Sequence, residues 1–192
     1  MSQKFAAFDA QGNITAFYDS VDSPVPAGVT NMVEITQEQW QTCINQPGQW
    51  YVASGALAQV PPPTAVQQLA AAQAAQIAIL DAACAKAITA GFTSTALGAA
   101  HTYPAQIADQ QNLSASVLAS LMPNLPSGWA TPFWCADSTG TWTYANHTAA
   151  QIQQAGQDGK AAIIAAIEKK AGLVAQVNAA TTVAAVQAIV WS

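Results

Sequence analysis

His101 and His147 are the only imidazoles in the sequence, and with the carboxylates Asp81, Asp109, Asp137 and Asp158 and the thiols Cys43, Cys84 and Cys135 they are the first candidates for chemistry. Hydrolysis or acid–base work needs a nucleophile, a base and an orienting group, or two carboxylates brought together. His147 precedes Thr148 at the start of a helical pattern, where its ring can hydrogen-bond the loop or stack on Trp134 or Trp142. That is a structural role, and His101, on a short strand-like piece, is read the same way. The four aspartates do not have the spacing of a metal-binding loop, and there is no glycine-rich phosphate cradle. Three cysteines are an odd number, far apart and without Cys-x-x-Cys, which argues against a disulfide framework and against zinc. The expectation is a chain that is not an enzyme, with no catalytic residue, no cofactor and no metal.

The tryptophans point elsewhere. Trp40, Trp50, Trp129, Trp134, Trp142 and Trp191 are many for a chain whose apolar content is mostly alanine. Some must anchor a thin core, and others are of the type that carries binding energy at interfaces. Trp50 and Tyr51 project to opposite faces of one strand and cannot both enter a one-sided sheet, so at least one should face solvent or a partner. With Leu57 on the neighbouring strand they form one candidate partner-binding surface. A second is formed by Ile164, Ile167 and Val174, where Ile164, Ile167, Ala171, Val174 and Asn178 step by three and four with Asn at the last a position. This seam either joins copies of the chain in a parallel homo-oligomer or packs on the helix over 66–88 of the same chain.

Charge narrows the partners. The formal charge is −5 with 8% charged residues, and all five basic residues are lysines. Without arginine and without a basic patch, no nucleic-acid partner is expected, and the acidic balance disfavours anionic membranes, so no membrane partner is expected either. The opening Met-Ser-Gln-Lys-Phe has no apolar run, so no secretory signal is expected.

The elements that must position these residues fall on either side of Pro61-Pro62-Pro63, a stiff spacer. Before it, Lys4–Phe8 and Ile14–Tyr18 read as a hairpin around Asp9–Asn13, Met32–Ile35 as a strand, Thr36–Gln39 as a capping box opening a helix to about Asn45, and Trp50–Ala53 with Ala56–Val60 as a second hairpin. After it, Thr64 caps a long Ala/Gln-rich helix that Gly91 stops. Its glutamines interrupt the apolar run of about 18 residues that a membrane span requires, so a soluble helix is expected. Phe92–Leu97 and His101–Tyr103 are short strands. Pro104 suits the first turn of a helix with Ile107, Leu113, Val117, Leu118 and Leu121 as its apolar stripe, and the polar run Asp109–Asn112 can tie that helix to a hairpin at Trp129–Ala136 and Thr141–Ala145. Thr148 opens a second long helix, weakened at Gly156 and Gly159, and Thr181-Thr182 caps a final helix carrying Val183, Val186, Ile189, Val190 and Trp191. The fold class expected is α+β: a small β-hairpin module over 1–60, a proline spacer at 61–63, and over 64–192 a helix-rich domain with two long helices and short β-hairpins.

Two stretches resemble known phage families. The hairpin Asp9–Ile14 with Phe17-Tyr18-Asp19, the proline-containing loop, and Val33–Trp40 resemble the opening of tail-fibre assembly proteins of tailed bacteriophages, in which a proline-rich stretch like Val60–Pro63 follows. Gly91–Gly98, His101-Thr102-Tyr103, Asp109–Leu113, Trp134-Cys135-Ala136-Asp137 with Trp142, His147–Gln151, Ala179–Thr182 and Ile189-Val190-Trp191 look like an uncharacterised domain at the C-termini of phage tail-fibre-associated proteins. The resemblance implies an assembly chaperone or accessory protein that binds a trimeric tail-fibre protein in the host cytoplasm, or alternatively a structural component kept in the virion tail or baseplate. It carries over no catalytic residue.

Alanine buries little area, so the 52% hydrophobic content overstates the core, and a partner surface is expected to contribute to stability. The expected outcome is a chemical denaturation midpoint that rises with protein concentration, whereas a midpoint independent of concentration argues against association with a second copy.

Overall fold

The computed structural model describes residues 2–192. The chain is α+β and divides into two compact units, Met1–Pro63 and Thr64–Ser192.

In the first unit, strands β1 (Lys4–Phe8), β2 (Ile14–Asp19) and β3 (Met32–Ile35) form an antiparallel sheet in the order β2-β1-β3. Lys4 on the central strand pairs with the buried carboxylate of Asp19 opposite it, and its ammonium lies 4.8 Å from the centre of the Trp40 ring. Asp19 also accepts the Val21 and Asp22 amides, so the pair is hydrogen-bonded as a buried charge must be. Thr36 and Gln39 close a capping box at the start of α1 (Gln37–Asn45). The hairpin β4 (Trp50–Ala53) and β5 (Ala56–Gln59) meets the β1–β2 turn at Gly12, whose carbonyl accepts the Val52 amide at 2.8 Å. A Cβ at Gly12 would stand 2.3 Å from the Val52 carbonyl oxygen, so only glycine fits there.

The second unit is built on two long helices, α2 (Ala65–Thr89) and α4 (Ala149–Ala179). Strands β6 (Phe92–Ser94), β7 (His101–Tyr103), β8 (Ala130–Ala136) and β9 (Trp142–Thr148) make an antiparallel sheet in chain order. The helix α3 (Ile107–Ser120) and the short α5 (Val183–Gln187) complete it. Thr64 and Thr148 each form a capping box with the glutamine three residues on, Gln67 and Gln151. Because Thr148 is both the last residue of β9 and the cap of α4, strand and helix join without a loop.

Helix α4, about 46 Å long at 1.5 Å per residue, carries two separate cores. Its first turns bring Ile152 and Ala155 onto Phe92, Tyr103, Ala105, Leu113, Phe133 and Cys135. Its last turns bring Val177, with Leu173 and Val174 partly buried, onto Leu80 of α2 and Val186 of α5. Helix α2 is long and apolar enough to cross a membrane by length and composition, with mean hydropathy 1.2 over its window. Here Gln73 donates to the Val177 and Ala180 carbonyls and Gln76 to the Ile189 carbonyl, which fixes α2 to the chain around α5.

Three expectations change. Pro104 precedes α3 rather than opening it, because Gln106 and Asp109 form the capping box and the helix starts at Ile107. The final helix stops at Gln187, so Ile189 and Trp191 pack on the second core from irregular chain. The seam on α4 turns outward for most of its length. The residues that contact the cores follow a different face (Ile152, Ala155, Gly159, Val177), leaving Ile164 and Ile167 42% and 47% exposed.

Gly156 and Gly159 are points of close approach, not weak points. A Cβ at Gly159 would lie 2.9 Å from the Phe92 ring, and at Gly156 2.7 Å from Val117 Cγ2. Gly172, in the same helix, has nothing within 4 Å. Gly159→Ala is therefore expected to destabilise the chain by about 1–3 kcal/mol through overpacking, and Gly172→Ala to stabilise it by up to about 1 kcal/mol through helix propensity. Urea unfolding of the two variants checks both signs.

Candidate functional site

The buried polar centre of the second unit is the pair Tyr103 and His147, both fully buried. Tyr103 projects from β7 and His147 from β9, and the Tyr103 hydroxyl lies 2.7 Å from His147 Nε2. His147 Nδ1 is 2.9 Å from the Ala145 carbonyl, which can only accept, so Nδ1 carries the proton and the tyrosine hydroxyl donates to Nε2. Phe92 stacks on Tyr103 at 5.2 Å, and Phe133 meets the imidazole edge-on at 6.4 Å. Sealed between these rings, the pair has no face open to a substrate. It locks β7 to β9 across β8.

Burial pushes His147 below the ordinary imidazole range, against the opposing pull of the Ala145 carbonyl, and burial pushes the Tyr103 hydroxyl well above the ordinary tyrosine range. Of the two roles expected of this ring, hydrogen-bonding nearby chain or stacking on Trp134 or Trp142, it takes a backbone hydrogen bond, because the alternation of β9 sends His147 inward and Tyr144 and Trp142 outward. His101, on the short strand β7, turns its Nδ1 to the Ala99 carbonyl at 2.9 Å.

Among the described residues of this unit, concavities lie on either side of α3. The first, about 650 Å³, runs between α3 and α4 and reaches the end of α2; Leu113, Val117, Leu118, Leu121, Ile88 and Ile163 give it an apolar lining, and Lys160 is the single charged residue along it. Leu118, Leu121, Met122 and Ile107 are 59–70% exposed on α3 and just beyond it. Of the apolar stripe expected to face inward, only Leu113 is buried and Val117 partly so. The stripe is wider than the surface α4 offers, since Gly156 draws Val117 in and Gln153 holds the end of the helix at Ser120, leaving the flanking leucines uncovered.

The second concavity, about 540 Å³, lies between the opposite face of α3 and the β8–β9 hairpin, lined by Asp109, Asn112, Ser116, Thr131, Trp134 and Tyr144 among others. The polar run on α3 does not tie the helix to the hairpin by amide bonds, as expected from sequence. Asp109 Oδ2 accepts the Gln106 amide and Gln110 Nε2 donates to the Ala105 carbonyl, both local to the helix start.

The residues expected to bind a partner are scattered. Trp50, Tyr51 and Leu57 are all half-buried in the first unit. Trp50 donates its indole N–H to Gln46 at 3.1 Å, and the backbone of Tyr51 forms a β-bridge with that of Asn13; both residues keep part of their surface exposed. Ile164 and Ile167 are exposed in the middle of α4, and Val174 packs on the second core. Sequence reasoning missed the outward leucines of α3. The signal was present in its polar row, Asp109, Asn112 and Ser116, which takes the opposite face and leaves α3 amphipathic with an apolar side wider than its packing on α4.

A family model described as a domain of unknown function, DUF4376, matches residues 71–190, from α2 to the end of the second core. The chain belongs to the DUF4376 family. No curated protein and no solved structure matches it. The DUF4376 span takes in the Tyr103–His147 pair, the residues lining both concavities and the buried residues of both cores.

Because His147 is neutral in the fold and free to protonate when unfolded, its share of stability is complete above its ordinary value of 6.5 and falls as pH drops toward the depressed folded value. Urea midpoints measured from about pH 7.5 down to about pH 5 should therefore decline, with the decline reduced in His147→Gln. Tyr103→Phe leaves Nε2 without a donor in a dry core and should cost about 1–3 kcal/mol. A Tyr103→Phe variant as stable as the parent would show that the hydrogen bond contributes nothing.

Proposed function

We propose that this chain is a companion of a bacteriophage tail-fibre protein, binding the fibre and covering an apolar surface on it during assembly. The observation that carries the proposal is the groove between α3 and α4, apolar along its floor and edged by the exposed Leu118, Leu121 and Met122. Side chains of that size left in water are a standing cost, and burying each against a partner is worth about 1.5–3 kcal/mol. A contiguous exposed apolar surface of this kind marks an interaction site. The occupant that fits is an uncharged apolar segment, since Lys160 alone offers a charge. Unregistered β-rich chains of a trimeric fibre expose such segments and pair edge to edge unless covered. The resemblance of 9–40 and of 91–191 to tail-fibre assembly and tail-fibre-associated proteins is what supports a tail-fibre protein as that partner.

The test is co-expression with the neighbouring fibre protein. Soluble, trimeric fibre is expected with the parent chain and not without it, and a Leu118→Asp, Leu121→Asp double variant should give the result of omission while keeping the parent's thermal unfolding, because both positions are exposed. Soluble trimers formed equally well with the double variant would remove the groove from the mechanism. Mass spectrometry of purified particles decides whether the chain leaves after assembly, as proposed, or stays as a structural part of the tail.

A further inference from the structure

The outer face of the β8–β9 hairpin carries three aromatic rings in a row. Trp134 lies opposite Tyr144 with ring centres 4.8 Å apart, and Trp142 stacks on Trp134 at 6.1 Å with 21° between planes. Trp134 and Trp142 are 39% and 40% exposed and Tyr144 72%. A cross-strand aromatic pair steadies a hairpin, but the inner face of this one is already anchored by Phe133, Cys135 and His147. The row continues into the second concavity, where α3 adds a carboxylate, an amide and a hydroxyl from Asp109, Asn112 and Ser116, and Thr131 adds another hydroxyl.

This combination selects a ligand. Stacked nucleobases require cations tracking the phosphates, and the only charged residue lining the cleft is acidic. A quaternary ammonium is held by rings that enclose it, whereas Trp134 and Trp142 lie nearly parallel. A proline-rich peptide stacks on aromatics but offers carbonyls, which accept. The Asp109 carboxylate accepts only, whereas Asn112, Ser116 and Thr131 both donate and accept, so a ligand bearing donors as well as acceptors matches the whole wall. Sugar rings have apolar C–H faces that lie on aromatic rings, and hydroxyls that both donate and accept. We propose that the cleft between α3 and the β8–β9 hairpin is a binding site for a neutral oligosaccharide, with Trp134 and Tyr144 as the platform and Asp109, Asn112 and Ser116 as the polar wall.

Tryptophan fluorescence of the full chain, titrated with maltohexaose, chitotetraose and a linear mannotetraose, tests this, with decaproline as the peptide control. A saturable change with at least one of the three sugars is expected. Tyr144→Ala and Asn112→Ala, both at exposed positions, should each weaken it by about tenfold, and Leu118→Asp should leave it unchanged. No response to any of the three sugars would overturn the proposal, as would saturation by decaproline or binding that survives both cleft variants.

Discussion

The second unit depends on how closely α4 can pass the sheet and α3. Phe92 lies on Gly159 and Val117 on Gly156 at distances that leave no room for a methyl group. Alanine-rich helices bury little area per residue, so a core of adequate density requires backbones to approach. The two glycines allow that at the crossing. Their cost in helix propensity, about 1 kcal/mol each, is offset because Ile152 and Ala155 then reach the rings of Tyr103 and Phe133. The Tyr103–His147 hydrogen bond follows from the same contact. It is tolerable in so dry a place because each polar atom of the imidazole has one partner and neither is charged.

Much of the fold was readable from local chemistry. Thr36, Thr64 and Thr148 each begin a helix with glutamine at the third position, and both hairpins of the first unit fall where their turns predict. Local signals fix such features because the hydrogen bonds involved span three or four residues. What failed to show was set by neighbours distant in sequence. The seam through Ile164 and Ile167 has good heptad spacing, yet the face α4 buries is decided by where Phe92 and Leu80 stand, 72 and 87 residues away from those isoleucines in turn only by the fold's closure. The inward turn of His147 likewise depends on the register of β8 with β9, which places Thr131 opposite it and Phe133 and Cys135 on the core side.

The candidate sites were legible in composition and not in place. Six tryptophans in a leucine-poor chain signalled more aromatic surface than the core needs, and Trp134 and Trp142 prove to be that surplus. Trp50 drew attention for its position beside Tyr51, but Gln46 accepts its indole N–H and both residues are half-buried. An alternating strand pattern says which side chains share a face; it does not say which face another element will cover.

Helix α3 separates the two concavities, and its sequence serves both. Leu113, Val117 and Leu121 recur along one side with Leu118 beside them, while Asp109, Asn112 and Ser116 recur along the other. Its anchorage is confined to one side: Leu113 in the core, Val117 against Gly156, the Ser120–Gln153 contact at its end, and the Gln106 bond to the Thr89 carbonyl at its start. A helix of 14 residues gains little stability from propensity alone and takes most of it from an apolar face pressed on something. On α3 that face is only half covered. The chain therefore leaves a half-covered helix between two open surfaces, an arrangement in which apolar cover from a partner would steady the same helix that forms the polar wall of the cleft.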